Sequence, residues 1–402
     1  MQKGIHAVIE KFLKRYIEEL KINHPEVEEA FRRVPRHRFL KGWYEQDNEG
    51  DVECFGQRWR WRPFNPEEPD PESLQKIYSD TGLLIRVSPF PSSSSQPALT
   101  ALKLKLLDLK KGMKVLEIGT GSGYGTALIA EMVGAQELVT SSDWQPDLVK
   151  ERQKVLAEAG YGGIRLLARD GFYGCKEYAP YDRIEVDIGC PDISPHWVEQ
   201  LAPNGFMLVP LRHGGIYAPL TKIWRADGKI LGQVVGISWY GPTITIQGEL
   251  YAELWPVPPQ KMEKREEYPI FPELAEMYEA AKNEGDWLKY GFPYFLVLAD
   301  VRAFCHQELG LWDKERGVIA IQHEQRKIRL CGDKGLYYEL CEIYERWKSL
   351  GKPKPSDYQI EFIPMEQGLE SVWAEGDINV WIINRKFYRQ IVRLDLRRKG
   401  EL

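Results

Sequence analysis

The sequence predicts an α/β protein in which a doubly wound parallel sheet carries the functional site. Three observations support this. Strand-like apolar runs alternate with helical patterns between residues 91 and 240, a glycine-rich turn follows the first run, and acidic residues follow the next two. Strands that alternate with helices favour a parallel sheet with right-handed crossovers. Because ligands bind at the carboxyl ends of such strands, we expect the glycines and the acids at one edge of the sheet.

The chain of 402 residues has an ordinary globular composition, with 43% hydrophobic and 28% charged residues, which suits two or three domains. Its net charge of −5 argues against binding of the whole chain to nucleic acid or to an anionic membrane. It shows no signal peptide and no apolar run of ~18 residues, and its cysteines lack C-x-x-C spacing. We therefore expect a cytoplasmic protein. The histidines show no H-E-x-x-H spacing, so no metal site is predicted.

Two helices and an irregular region precede the sheet in this prediction. The first twenty residues have apolar positions at helical spacing, and Pro25 suits the first turn of a second helix that Pro35 ends. Residues 41–90 combine tryptophans, prolines and acids with little periodicity. We interpret them as an irregular excursion with short strands at 52–60 and 83–88.

The elements of the sheet follow in order. Pro97 opens a helix whose predicted apolar face consists of Leu99, Leu102, Leu106 and Leu109. The predicted strands are residues 113–118, 137–142, 164–168, 183–188 and 206–210. The predicted helices between them begin near Gly125, Pro146 and Pro195, and the two prolines suit a first helical turn. Two further strand-like runs, 216–224 and 230–238, complete the predicted sheet.

A second region follows the sheet. Residues 255–273 are rich in proline and charge, which is typical of a linker. Beyond them lie strand-like runs at 294–301, 317–321, 326–331, 358–363 and 378–394, and a helical pattern at 335–350. We therefore predict four parts: N-terminal helices with the excursion (1–90), the sheet domain (91–254), the linker (255–273) and an α+β substrate-recognition domain (274–402).

The strongest local signal is the turn Glu117-x-Gly-x-Gly-x-Gly123, between a strand and a helix. Glycines let the backbone approach a ligand closely, and the helix N-terminus offers N–H groups. The spacing does not match G-x-G-x-x-G, and no G-K-[ST] follows, which argues against dinucleotides and nucleotide phosphates. Asp143 after the second strand suits ribose hydroxyls, and Asp170 after the third suits an adenine amino group. Together they predict S-adenosylmethionine as the cofactor. The predicted cofactor-binding residues are Glu117, Gly119, Thr120, Gly121, Ser122, Gly123, Tyr124, Asp143, Trp144, Asp170, Gly171 and Asp187.

Several segments together resemble the protein-L-isoaspartate O-methyltransferase family. They are FRRVPRHRF from Phe31, SSQP from Ser94, VLEIGTGSGYGTALIAEMVG from Val115, YDRI from Tyr181 and LAPNG from Leu201. The first two are specific to that family, whereas the third alone would indicate only a class I methyltransferase. The resemblance covers a little over half of the chain. It implies the doubly wound class I methyltransferase sheet, with N-terminal helices and an additional C-terminal α+β domain here, and methyl transfer to a side-chain carboxylate in a peptide.

The resemblance also implies that the serine run forms the acceptor site. Ser95 occupies the position of the family's essential hydroxyl and Ser93 that of a second hydroxyl donor, and Ser94 between them completes the predicted catalytic group. A serine run by itself would be interpreted as a flexible loop or a helix cap, and its place before the matching helix favours the functional interpretation. A carboxylate is already ionised at pH 7, so alignment rather than a general base is what these hydroxyls would supply. Asp187 departs from the family pattern; it either helps to hold the cofactor or repels an anionic substrate.

Three functions are compatible with these features. The first is repair of isoaspartyl residues in damaged proteins. The second is esterification of an aspartate in one dedicated ribosomal peptide, followed by cyclisation to an aspartimide, as in extended family members that tailor lasso peptides, lanthipeptides or graspetides. The third is a peptide-binding protein that has lost catalysis. Residues 255–402 are absent from the compact repair enzyme, and added domains supply specificity. The sequence therefore favours the dedicated enzyme, with a peptide and neither nucleic acid nor a membrane as its partner.

Overall fold

A computed structural model describes residues 2–54, 57–88, 90–213, 217–239, 245–246, 249–250, 266–305, 308–367 and 378–395. The chain forms two compact units. The first comprises Met1–Asp187, His196–Leu208 and Ile246–Gly248. The second comprises Ile188–Pro195, Val209–Thr245 and Glu249–Leu402.

The first unit begins with two helices and a small antiparallel sheet. The helices α1 (Gln2–Leu20) and α2 (Pro25–Arg33) lie where the sequence predicts them. The sheet has the order β2-β3-β1-β4-β5. Its elements, with one intervening helix, are β1 (Gly42–Gln46), β2 (Val52–Cys54), β3 (Gln57–Pro63), α3 (Pro71–Ile77), β4 (Leu83–Arg86) and β5 (Ser92–Ser94).

Residues 41–90 are thus more regular than the predicted irregular excursion. In β3 the exposed and half-exposed residues show no strict alternation, and Trp61 is 39% exposed. Strand prediction depends on alternation between an apolar buried face and a polar exposed face. The predicted strands at 52–60 and 83–88 overlap β2, β3 and β4, whereas β1, α3 and β5 were not predicted, because short and partly exposed elements do not produce that pattern.

A parallel sheet forms the centre of the first unit. Its elements are α4 (Pro97–Leu107), β6 (Val115–Ile118), α5 (Tyr124–Val133), β7 (Val139–Asp143), α6 (Pro146–Glu158), β8 (Arg165–Ala168), β9 (Tyr181–Val186), α7 (Pro195–Gln200) and β10 (Leu201–Pro210). The order β10-β9-β6-β7-β8, with parallel pairing throughout, confirms the predicted doubly wound sheet. The chain moves outward from β6 through β7 to β8 and then returns to β9 on the other side. Ligands bind at such reversals of strand order, outside the carboxyl ends of the strands.

The buried face of α4 differs from the predicted one. Leu99, Leu102 and Leu106 are only half-buried. The buried residues of this helix are Pro97, Thr100, Ala101, Lys103, Leu104 and Leu107. Leucines occur on several sides of this helix, so their spacing does not select one face. The buried face also includes a lysine, Lys103, with only 2% of its surface exposed.

His37 gives the first unit an acid-sensitive stability. Its ring is 5% exposed, and its Nδ1 lies 2.7 Å from the Tyr78 hydroxyl. Burial, assisted by the positive charge of Arg38, lowers the pKa of His37 from 6.5 to about 4. In the unfolded chain this imidazole takes up a proton near its ordinary pKa, whereas in the folded chain it stays neutral. Stability is therefore lost as the pH falls from 6.5 towards 4.

We expect His37→Gln, which keeps a hydrogen-bonding side chain, to remove this part of the acid sensitivity. The wild type should lose up to ~3 kcal/mol more unfolding free energy than the variant between about pH 7 and about pH 4.5. Urea unfolding of both proteins at the two pH values measures this difference. An equal loss in both proteins would show that His37 is not the responsible group.

The second unit contains two long series of antiparallel strands, with the orders β21-β22-β20-β12-β11 and β15-β19-β18-β17-β16. The elements from β11 to α9 are β11 (Tyr217–Ala226), β12 (Lys229–Trp239), β13 (Thr245–Ile246), β14 (Glu249–Leu250), β15 (Glu266–Pro269), α8 (Pro272–Glu284) and α9 (Phe292–Ala299). Those from β16 onward are β16 (Ala303–Cys305), β17 (Leu309–Asp313), β18 (Gly317–Gln322), β19 (Lys327–Gly332), α10 (Gly335–Ser349), β20 (Tyr358–Pro364), β21 (Ile378–Asn384) and β22 (Tyr388–Asp395). No helix among the described residues combines the length and apolarity that crossing a bilayer requires.

Two segments of this unit differ from the prediction. Residues 294–301, predicted as a strand, lie mostly in helix α9, where every residue from Phe292 to Leu298 is buried. A short, wholly apolar run fits a buried helix as well as a buried strand, so periodicity does not decide between them. Within the predicted linker, β15 pairs with β19 and α8 begins at Pro272. Residues 255–265 of that segment lie outside the described residues.

Candidate active site

The glycine-rich turn after β6 brings the predicted cofactor loop against the predicted acceptor segment. Gly121 and Gly123 have φ angles of 52° and 83°, in the left-handed region that favours glycine. A Cβ atom on Gly121 would lie 2.5 Å from the carbonyl oxygen of Ser93. Any side chain at Gly121 would therefore push the glycine turn and the serine segment apart.

Asp143 ends β7 beside this turn. It is 9% exposed, and its carboxylate accepts a hydrogen bond from the Gln145 backbone N–H at 3.2 Å. Burial raises the pKa of Asp143, while backbone N–H groups of Gln145 and Gly121 and the charge of Arg86 act in the opposite direction. The next residue, Trp144, is 37% exposed. A buried carboxylate beside a partly exposed aromatic ring is suited to a ribose and its base.

Asp170 and Gly171 follow β8 at the same edge of the sheet. The half-buried Asp170 accepts a hydrogen bond from the Phe172 backbone N–H at 2.9 Å and so caps a short 3₁₀ turn. A Cβ atom on Gly171 would lie 2.3 Å from the Ile118 side chain, so this turn packs directly against the end of β6. The structure therefore brings the ends of β6, β7 and β8 together with the predicted cofactor residues that follow them.

Other predicted cofactor residues support the turn from the interior. Glu117 is 1% exposed and accepts hydrogen bonds from the Thr126 and Ser141 hydroxyls, each at 2.5 Å. The Thr120 hydroxyl lies 2.7 Å from the same Ser141 hydroxyl. These contacts join β6, β7 and α5 beneath the glycines.

Ser122 and Tyr124 also have their contacts inside the protein. The Ser122 hydroxyl accepts a hydrogen bond from the Tyr124 backbone N–H at 3.3 Å. The Tyr124 ring is 2% exposed and packs against Phe31 and Phe39, with centroids 5.9 and 5.6 Å away. The Tyr124 ring therefore lies among aromatic residues of the N-terminal region.

The serine run is divided between different environments. Ser93 is exposed, whereas Ser94 is buried and its hydroxyl accepts a hydrogen bond from Arg36 Nε at 3.3 Å. Ser95 is half-buried, and its hydroxyl donates to Asp187 Oδ2 at 3.4 Å. The structure thus brings Ser95 together with Asp187 and directs Ser94 to Arg36 instead.

Arg36 fixes the backbone of the serine run, a role that the sequence pattern did not reveal. Its side chain is fully buried. Its guanidinium donates to the carbonyl oxygens of Ile77, Ser79, Thr81, Ser94 and Ser95 at 2.9–3.4 Å. The available signal was its place within the family-like segment FRRVPRHRF. Because arginine has five donors in a rigid planar group, one side chain can fix two separate loops.

Lys103 is the second functional candidate that the sequence did not reveal, because it stands among leucines on α4. Its Nζ lies 2.7 Å from Glu185 Oε1 and 2.5 Å from Asp187 Oδ1. Burial raises the pKa of Glu185, and the charge of Lys103 opposes that rise. Glu185 lies opposite Glu117 in the sheet. Burial is the largest cause of the raised pKa of Glu117, and the negative charge of Glu185 is the second largest. The ammonium group of Lys103 therefore forms ion pairs with both carboxylates, Glu185 and Asp187, at the end of β9.

Comparisons with known proteins agree with this arrangement. The family model of protein-L-isoaspartate(D-aspartate) O-methyltransferase (PCMT) matches residues 67–245. The protein-L-isoaspartate O-methyltransferase 2 of Archaeoglobus fulgidus is 34% identical over 203 residues, which is 50% of this chain and 77% of that protein. The protein-L-isoaspartate O-methyltransferase of Methanothrix thermoacetophila is 38% identical over 176 residues, which is 41% of this chain and 81% of that protein.

A solved structure of a protein-L-isoaspartate O-methyltransferase aligns with this chain at a TM-score of 0.50 and 21% identity. The alignment covers 87% of this chain and 96% of that structure. At this identity the likeness concerns the fold, which is that of a class I methyltransferase with a further sheet-rich C-terminal region.

The residues at the sheet edge fit S-adenosylmethionine, the cofactor of this family. The glycine turn offers a close backbone approach, the buried Asp143 offers a carboxylate for ribose hydroxyls, and Asp170 lies at the same edge. The relatives are named as enzymes, which supports catalysis over a binding scaffold. The chain belongs to the protein-L-isoaspartate O-methyltransferase family of S-adenosylmethionine-dependent protein carboxyl methyltransferases.

Proposed function

We propose that this chain methylates the free carboxylate of L-isoaspartyl residues in proteins, the first step of their repair. The observation that carries the proposal is the name of its relatives. Four curated proteins are 34–38% identical to this chain, and the alignments cover 77–85% of their length. All four are named for that substrate.

The proposed mechanism needs alignment rather than acid–base catalysis. Bound S-adenosylmethionine supplies an electrophilic methyl group. The acceptor carboxylate is ionised at pH 7 and requires no base. Ser95, whose backbone is anchored by Arg36, would donate a hydrogen bond to one oxygen of the acceptor and so orient the other towards the methyl group. In the methyl ester, methanol is a good leaving group, so the following backbone nitrogen of the substrate can displace it and close a succinimide.

A second candidate keeps this chemistry and changes the substrate to an aspartyl residue of one dedicated ribosomal peptide, whose ester then becomes a lasting aspartimide. Asp187 beside Ser95 favours it, because a carboxylate in the acceptor site disfavours substrates that make few other contacts, whereas a repair enzyme accepts many sequences. The length of the chain does not separate the candidates, since the solved isoaspartate methyltransferase described above aligns with 87% of it.

The test uses peptides of matched sequence that contain either Asp or isoAsp, incubated with the full chain and S-adenosylmethionine and analysed by intact mass. Methylation of isoAsp peptides alone, across unrelated sequences, is the expected result. Ester or dehydrated product only from Asp, in a peptide encoded beside this gene, would establish the second candidate instead. In either case Ser95→Ala should lower kcat/KM by about 10- to 100-fold and leave S-adenosylmethionine binding intact. Unchanged turnover in Ser95→Ala would remove the assigned acceptor site.

A further inference from the structure

Asp187 places a carboxylate of the protein beside the hydroxyl that the acceptor is proposed to use. Its Oδ2 accepts the Ser95 hydroxyl at 3.4 Å, and its Oδ1 accepts the Lys103 ammonium at 2.5 Å. A serine hydroxyl has one proton, and an ionised carboxylate only accepts hydrogen bonds. While Ser95 donates to Asp187, it cannot donate to a second carboxylate.

The two contacts of Asp187 differ in strength. A separation of 3.4 Å is long for a hydroxyl donor, for which about 2.5–3.0 Å is usual. The contact with Lys103 is short and joins opposite charges, which makes it much the stronger of the two. Lys103 therefore anchors Asp187, and Ser95 is held loosely enough to turn to another acceptor.

The combined charge of Glu185, Asp187 and Lys103 also opposes the binding of a substrate carboxylate. Glu185 and Asp187 share the one ammonium of Lys103, and the side chains are 4%, 15% and 2% exposed, respectively. A substrate carboxylate that reaches Ser95 brings a further negative charge within a few ångströms of Asp187. Because water screens poorly at such a site, this repulsion weakens the binding of a carboxylate that has no other contacts.

We propose that Asp187 is a specificity-determining residue that competes with the acceptor carboxylate for the Ser95 hydroxyl, and that Lys103 is the positioning residue that keeps Asp187 in the acceptor site. Only a carboxylate held by additional peptide contacts then displaces the Ser95 hydroxyl from Asp187. This inference rests on the proposed carboxylate methylation and holds for isoaspartyl and aspartyl acceptors alike.

The decisive variant is Asp187→Asn, which removes the charge and keeps the shape. For a short peptide with one acceptor and no other acidic residue, KM should fall by about 5- to 10-fold while kcat changes less than about twofold. The fall in KM should diminish as salt rises from about 20 mM to about 500 mM. Asp187→Ala should act in the same direction, and Glu199→Gln, which removes an exposed carboxylate on α7, should leave KM unchanged.

Two measurements keep the outcomes distinct. If the wild type binds S-adenosylmethionine by calorimetry but esterifies no carboxylate, the proposed function fails before any variant is compared. If the wild type is active and Asp187→Asn leaves KM unchanged or raises it, the competition proposed here is wrong. A change in S-adenosylmethionine affinity larger than the change in peptide KM would likewise overturn it, because Asp187 would then serve the cofactor.

Discussion

Replacing Asp143 by alanine is expected to weaken S-adenosylmethionine binding by about 100-fold. Asp143 is a buried carboxylate at the end of β7, next to the glycine turn. Two ribose hydroxyls that donate to one carboxylate contribute about 1.5 kcal/mol each, and their joint loss of ~3 kcal/mol corresponds to that factor. Titration calorimetry of the full chain with S-adenosylmethionine measures it directly.

A graded series makes this expectation specific to the carboxylate. Asp143→Asn keeps one accepting oxygen and should lose only about 10-fold in affinity. Thermal unfolding without cofactor checks that both variants are folded. An affinity within about twofold of the wild type for Asp143→Ala would place the ribose contact elsewhere in the site.

Replacing Lys103 by methionine is expected to lower the free energy of unfolding by about 3–5 kcal/mol. Methionine fills a similar volume but leaves Glu185 and Asp187 without the ammonium that lies 2.7 and 2.5 Å from them. Both carboxylates are mostly buried, so water does not replace the lost charge. Urea unfolding at about pH 7 measures the loss.

The pH dependence of that loss separates charge from packing. Burial raises the pKa of Glu185 and Lys103 opposes the rise, so removal of Lys103 raises this pKa further. A carboxyl group whose folded pKa exceeds its unfolded value costs stability as the pH rises. The deficit should therefore be smaller near about pH 5 than near about pH 8.

Two further variants complete this test. Lys103→Met combined with Glu185→Gln restores the net charge and should recover at least half of the lost stability. Lys105→Met, at an exposed position of the same helix, should cost less than about 0.5 kcal/mol. Equal deficits at both pH values would attribute the effect to packing.

The elements that carry the candidate cofactor residues could be predicted from the sequence because their signals are local. A buried strand, a glycine turn and a helix follow one another directly from Val115 to Val133. Asp143 ends β7, and Asp170 stands two residues after β8. The parallel order of the strands then brings these ends together without further information. Apolar runs and turn residues were enough to predict this part of the fold.

The serine run and Asp187 were named from the sequence, but the contacts among Ser95, Lys103 and Asp187 were not predicted, because they join distant parts of the chain. Ser95 meets Asp187 across 92 positions, and Lys103 meets Asp187 across 84. No local pattern records such pairs, and a lysine among leucines on α4 reads as an exposed residue. Asp187, which departs from the family pattern, was the member of this cluster that the sequence singled out.

The anchoring of the serine run by Arg36 determines which truncated forms of this enzyme can keep the serine run in place. The family match begins at residue 67, yet the conformation of Ser94 and Ser95 is set by a guanidinium that lies outside it. A truncated protein limited to the matched residues would retain the glycine turn and lose the anchor of its proposed acceptor segment. The smallest transplantable catalytic module is therefore larger than the family signature and must include the region around Arg36.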